Sequence, residues 1–181
     1  MDVESSVKKA YEAILSGDFE QAILRFEEAI AQEPENGAIY YKCSITCARS
    51  GKWQKALHYA EQAVLLDAEH AEYQYHLETV KARGMVSEAE QLLSQSPAHT
   101  DQALVLLKEA SRLDPLNMEA LLLLAAVFAS LRRYEEGAAC AREALRLDPE
   151  HAAARRLFAE LKRKSRALRA YGLRTKRKRN R

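Results

Sequence analysis

The sequence predicts an all-α fold, an α-solenoid of four helical hairpins closed by a C-terminal helix. Three observations predict it. The first is a period: Ala29, Ala63, Ala110 and Ala144 are separated by 34, 47 and 34 residues. The same three intervals link Ala22, Ala56, Ala103 and Gly137, and again Phe26, Ala60, Leu107 and Ala141, and again Pro34, Ala68, Pro115 and Pro149. A 34-residue period marks a stack of helical hairpins. The second is composition: 48% hydrophobic and 30% charged, with only 6 Gly and 4 Pro in 181 residues, favours helices over strands or disorder. The third is punctuation, since each period carries turn residues at its middle and its end.

In the first repeat (3–36) the helices are expected at Ser5 to Ser16 and Glu20 to Glu33. Gly17 can take the left-handed conformation that stops a helix. Asp18 caps the next one, with Gln21 as its capping-box partner, and Pro34 ends it. The second repeat (37–70) copies the plan with Gly51-Lys52-Trp53 between helices near 37–50 and 53–67. The fourth (118–151) places Arg132-Arg133-Tyr134 between helices near 117–131 and 134–147, losing the glycine and keeping the aromatic. The alanine columns have a packing cause: two helices approach closely only where side chains are small, and Phe26 fills the space between Ala22 and Ala29.

The third repeat (71–117) departs from this plan by 13 extra residues. Between Glu69 and Ser96 there is no Pro and only Gly84, and an apolar stripe runs Tyr73, Leu77, Val80, then Met85, Ala89, Leu92. A lone Gly weakens a helix by about 1 kcal/mol, which is too little to reverse the chain. The expectation is one long helix from about 69 to 96, bent at Gly84; the alternative is a short extra helix before an ordinary hairpin. The insertion adds about 20 Å at 1.5 Å per residue and displaces repeats three and four from repeats one and two. Thr100 is the expected N-cap of the helix that follows. Residues 152–171 read as a basic capping helix with the stripe Ala154, Leu157, Phe158, Leu161, Leu168, and residues 172–181 as a disordered basic tail.

The pattern resembles the tetratricopeptide repeat. The second half of that motif stands here as Ala22, Phe26, Ala29 and Pro34 in repeat one. Repeat four has Leu121, Leu124, Ala125 and Phe128, then Gly137, Ala141, Ala144 and Pro149. Leu-Asp-Pro endings at 113–115 and 147–149 also fit the family. The first half of repeat one is a poor match. The resemblance covers roughly residues 3–170. It implies a non-enzymatic adaptor or scaffold whose first helices line a concave groove for a peptide or helical segment of another protein. Helical spacing places Val7, Tyr11 and Ile14 on that face, then Tyr41 and Ile45, Tyr75 and Thr79, Leu122 and Ala126. The expected partner-binding residues are Val7, Tyr11, Tyr41, Ile45, Tyr75, Thr79 and Leu122, with packing against a neighbouring hairpin as the competing role of each. Tyr is suited to such a surface because it offers contact area at little entropic cost. Phe19, Tyr40, Trp53 and Tyr134 match structural columns and are assigned to the core. Family members that clamp the acidic tails of chaperones use Lys, Asn and Arg on successive first helices. The matching slots here hold Val7 and Tyr11, then Lys42, then Glu72 and His76, so that function is not expected.

Charge is divided along the chain. Residues 155–181 hold 13 Lys/Arg and a single acid, Glu160, against 15 basic and 25 acidic residues in 1–154. Such asymmetry suggests an anionic partner for the basic end. The candidate contacts are Lys162, Arg163, Lys164, Arg166, Arg169, Arg174, Lys176, Arg177, Lys178 and Arg179. RNA, DNA or a ribosome is the second candidate partner; a nuclear-import signal at Lys176 to Arg179, an anionic membrane, and a merely solubilising tail are the other readings.

No enzyme constellation is present: the glycines are scattered, and His58, His70, His76, His99 and His151 form no metal or triad motif. Cys43 and Cys47 share a helical face; the alternative to core packing is a metal or redox pair with His76. No catalytic residue, metal, cofactor or small-molecule substrate is expected. Three cysteines without pairing logic indicate a reducing compartment. No apolar run reaches the ~18 residues of a membrane span, and the polar N-terminus lacks a secretory pattern. The expected location is cytoplasmic, or nuclear in a eukaryote.

Overall fold

The structure, a computed structural model, describes the backbone of residues 2–179 and the side chains of residues 2–171. It is all-α among those residues. The helices are α1 Val3–Leu15, α2 Phe19–Gln32, α3 Gly37–Arg49, α4 Trp53–Leu66, α5 Ala71–Gln95, α6 Thr100–Leu113, α7 Met118–Ser130, α8 Tyr134–Leu147 and α9 Ala152–Arg179, with a 3₁₀ turn at Pro97–His99. They form two compact units, Met1–Gly84 and Met85–Arg181.

In the first unit α1 packs on α2, α2 on α3 and α3 on α4. Its core gathers Ala10, Ile23, Phe26, Ala29, Ile39, Cys43, Cys47, Ala56 and Val80. In the second, α6 packs on α7, α7 on α8 and α8 on α9. One core cluster there holds Ala125, Ala138, Ala141 and Leu161, another Leu121, Ala144 and Ala154. The columns that disclosed the period are the helix crossings: Ala22, Ala29, Ala56, Ala63, Ala103, Ala110 and Ala144 are fully buried. Gly137 continues this column where the crossing is tighter still. A Cβ there would stand 2.9 Å from the Ala125 carbonyl oxygen and 3.2 Å from Leu161 Cδ1.

The turns follow the chemistry of their residues. Gly17 and Gly51 adopt φ of 80° and 74°, the left-handed region open to glycine. Gln21 N–H donates to Asp18 Oδ1 at 2.9 Å, capping α2. Asp2, Asn36 and Asn117 cap α1, α3 and α7 in the same way.

Three expectations need correction. Thr100 is the first residue of α6 rather than its cap: its backbone is helical and its hydroxyl donates to the Pro97 carbonyl at 2.6 Å, while Ser96 caps the 3₁₀ turn. Phe19, Tyr40, Trp53 and Tyr134 are half-buried rather than core. They lie near helix N-termini, and cations cover the open faces of two of them, Arg49 over Phe19 at 5.4 Å and Lys164 over Tyr134 at 5.9 Å. Finally, helix does not stop at Tyr171. α9 runs on to Arg179 through the segment expected to be disordered. Arg and Lys are good helix formers, Gly172 costs only about 1 kcal/mol, and cations are favourable at a helix C-terminus. Residues 71–95 form one helix of 25 residues, α5, that includes Gly84.

Candidate functional site

The α1, α3 and α5 faces of the first unit carry Val7, Tyr41 and Tyr75 at one position of the 34-residue frame and Tyr11, Ile45 and Thr79 at another. Tyr11 is 43% exposed and its ring meets Phe26 edge-on, centroids 5.9 Å apart. Lys42, from α3, holds its ammonium 5.7 Å from the Tyr11 ring centroid and so joins the α1 and α3 faces. Tyr75 is 63% exposed. Thr79 is half-buried, and its hydroxyl donates to the Tyr75 carbonyl at 3.0 Å. Val7 is partly buried against the unit's core, and Ile45 is half-buried. Leu122 belongs to the second unit, half-buried against the cluster of Leu121, Ala144 and Ala154; Ala126 is exposed there.

Tyr41 is engaged within its own unit. Its ring packs on Tyr73, with centroids 4.9 Å apart, and takes His76 edge-on at 5.1 Å. Burial, together with the charge and hydrogen bond of the neighbouring Glu72 carboxylate, pushes the Tyr41 phenol up. His70 stacks flat on Tyr73, with centroids 3.8 Å apart. The row His70, Tyr73, Tyr41, His76 thus ties the start of α5 to α3.

The row ends in a buried polar contact that fixes a tautomer. Ser44 donates its only hydroxyl hydrogen to the Ala56 carbonyl at 2.6 Å. Its oxygen must therefore accept from His76, whose Nε2 lies 2.8 Å away. His76 then carries its proton on Nε2, and burial holds its pKa below the ordinary 6.5. Three helices meet at this hydroxyl. Nothing in the linear sequence announces it, because Ser44 and His76 are paired by the packing angle of α5 against α3 and α4.

The basic end is a second surface. Lys162, Arg163 and Arg166 are exposed on α9. Lys164 pairs with Glu160 at 2.6 Å. Arg169 pairs with Glu135, which also accepts from the Ser165 hydroxyl at 3.1 Å. The side chains of Arg174, Lys176, Arg177, Lys178 and Arg179 lie outside the described residues.

Tetratricopeptide-repeat patterns match residues 13–83 and 98–152. The chain belongs to the tetratricopeptide-repeat family. No curated protein matches its sequence. Among solved structures, a tetratricopeptide fold similar to this one occurs in MamA protein, at 19% identity and a TM-score of 0.56, over 95% of this chain and 86% of that one. MamA from Desulfovibrio magneticus RS-1, residue 41 to the end, gives 18% and 0.51 over 91% and 96%. A tetratricopeptide repeat protein from Parabacteroides merdae ATCC 43184 gives 19% and 0.53 over 90% and 60%. At these identities the likeness is one of fold.

Within this tetratricopeptide chain the slots of a carboxylate clamp hold one cation, Lys42, engaged with Tyr11. A cleft of about 720 Å³ lies where α2 passes to α3 and α4 to α5, lined by Glu33, Pro34, Asn36, Leu66, Asp67 and Tyr73 among others. Neither Tyr11 nor Tyr75 lines it. Among the described residues no group of three His, Cys, Asp or Glu side chains could hold a metal, and no helix is long and apolar enough to cross a membrane. Cys43 and Cys47 are sealed in the first unit's core.

Proposed function

We propose that this tetratricopeptide-repeat chain is a protein–protein interaction scaffold that holds a peptide or helical segment of a partner on the α1–α3–α5 face of its first unit. A second, electrostatic contact comes from the basic C-terminus. The observation that carries the reading is the exposure of Tyr11 and Tyr75, at 43% and 63%, beside a row of aromatic rings already held in place. Tyr41 positions this face, and Tyr11 and Tyr75 supply the accessible area. Large aromatic side chains on a pre-organised surface lose little entropy on binding and are enriched among hot spots.

Selection of peptides from a displayed library tests this, because it supplies a defined ligand. Joint Tyr11→Ala and Tyr75→Ala should weaken the selected peptide by about 30-fold, the equivalent of a 2 kcal/mol hot spot. Helicity should stay near wild type and the unfolding midpoint should fall only slightly, since Tyr75 is 63% exposed and Tyr11, 43% exposed, gives up an edge contact with Phe26. Peptides that bind the double variant as tightly as wild type would remove this face from the proposal.

A further inference from the structure

The strongest unexplained surface is the outer side of α9. This helix has 28 residues, about 42 Å of rod at 1.5 Å per residue. Its inner side is occupied: Ala154, Leu161 and Ser165 are buried, and Leu157 and Phe158 pack into the cluster with Ala125 and Ala141. At 100° per residue, Arg155, Arg156, Arg163 and Arg166 fall on the opposite side, with Lys162 and Arg169 on its flank toward Phe158, and all six are exposed. Arg155 pairs with Glu150 and Arg169 with Glu135. Arg156, Lys162, Arg163 and Arg166 make no ion pair among the described residues; the one acid of this segment, Glu160, pairs with Lys164 and also attracts Arg163, so the four cations are compensated only in part. A folded protein keeps like charges together only at a cost, and an anionic partner relieves it.

The structure discriminates among anionic partners. A helix that lies on a membrane inserts an apolar face flanked by cations. Between Ala154 and Ser165 that face of α9 is packed within the protein; beyond it Leu168 and Tyr171 are exposed, two apolar side chains against a longer row of cations. Single-stranded nucleic acid is held by aromatic side chains on which bases stack. Among the described side chains of α9 the aromatics are Phe158, which packs inward, and Tyr171, a single exposed ring rather than a series on which successive bases could stack. What fits is a partner that presents closely and regularly spaced charges on a stiff surface. A duplex presents phosphates in this way, about one charge per 1.7 Å of axis. Arg, five of the six side chains, matches phosphate oxygens with its planar fork.

We propose that the outer face of α9, centred on Arg156, Lys162, Arg163 and Arg166, binds the phosphate backbone of double-helical nucleic acid without reading its sequence. The affinity falls steeply with salt, because each phosphate contact releases counterions. DNA and RNA duplexes share this chemistry. The face lies on α9, so the contact is independent of the tyrosine face of the first unit.

The test uses the full-length chain and a labelled duplex of about 30 base pairs and arbitrary sequence, prepared once as DNA and once as RNA. Titrations run from about 50 to 200 mM salt, a range in which phosphate-driven binding changes by orders of magnitude. Comparison ligands are the corresponding single strands and phosphatidylserine vesicles. Wild type should bind at least one duplex more tightly than its single strand or the vesicles, with log K falling linearly in log salt. A variant with Arg156→Gln, Lys162→Gln, Arg163→Gln and Arg166→Gln should lose about 3 to 4 from that slope, roughly 0.9 per phosphate contact, and at least about tenfold in affinity at low salt. All four side chains are exposed, so circular dichroism should be unchanged. The Tyr11→Ala, Tyr75→Ala protein should bind the duplex as wild type does. The proposal is overturned if wild type ignores both duplexes at about 50 mM salt, or if the four-site variant keeps the wild-type slope, which would place binding beyond Arg169. Preference for single strands or vesicles overturns it too, as does loss of duplex binding in the tyrosine variant.

Discussion

Arg132 occupies the turn position that Gly17 and Gly51 hold in earlier repeats, and it keeps their backbone: φ is 58° where theirs are 80° and 74°. The hairpin geometry was retained when the glycine was not. An L-residue in this region carries a penalty of about 1–2 kcal/mol, partly offset because glycine is freer when unfolded. Arg132→Gly should therefore stabilise the second unit by about 0.5–1 kcal/mol, read as a higher urea midpoint at unchanged m-value. An unchanged or lower midpoint would mean that the arginine side chain contributes a contact of equal size. The sequence showed the missing glycine plainly, because the 34-residue frame pointed to it. It could not show that the backbone stayed left-handed, since a rearranged turn was equally compatible with the letters. Tyr41 and Tyr75 teach a related lesson. They occupy the same frame position and looked alike, yet one is packed against Tyr73 and His76 while the other stands in solvent. Position within a helix sets the direction of a side chain, and the neighbouring helix decides whether anything covers it.

At the scale of elements, α3, α4 and α5 are joined by the hydrogen bonds of Ser44, which donates to Ala56 and accepts from His76. Burial lowers the His76 pKa below 6.5, and the direction of its pH effect follows. As pH falls through about 6.5, an unfolded histidine takes up a proton while folded His76 stays neutral, so protons favour the unfolded chain. Stability should be insensitive to His76 above about pH 7.5. It should decline from about pH 6.5 downward until the folded-state pKa is passed. In His76→Gln, which keeps a donor for Ser44, this decline should shrink relative to wild type when thermal midpoints are compared from pH 5 to 8. Equal pH slopes in the two proteins would show that the ring is not protected from protonation. Helix existence was legible wherever periodicity and turn residues agreed, as in α1 to α4. Beyond Gly172 the letters misled, because charge density argued for disorder while the helix propensity of Arg and Lys argued the other way. The α3–α5 aromatic row was illegible for a different reason: it depends on a crossing geometry that no local pattern encodes.

For the whole molecule, the division of charge was readable by counting, with 13 cations and one acid after residue 154. Its meaning required the structure, which shows the apolar side of α9 covered as far as Ser165 and the cationic side open. The two units also differ in where their sulfur lies. Cys43 and Cys47 are sealed within the first, and Cys140 is half-buried in the second. The hydrogen bond between Cys43 and Cys47 pushes the Cys43 thiol up and pulls Cys47 down, and burial pushes Cys140 up. The thiolate is the nucleophile, so raised thiols react slowly, and Cys47 is kept from a reagent by its complete burial. A thiol reagent added to the native protein therefore acts as a clock. In Cys140→Ser, labelling can proceed only when the first unit opens, and its rate should rise with urea in step with the loss of helicity. Labelling as fast as that of the denatured chain would show that this core is open. The small hydrophobes that fill one helix crossing thus give the first unit a chemical record of its own opening, with no probe attached.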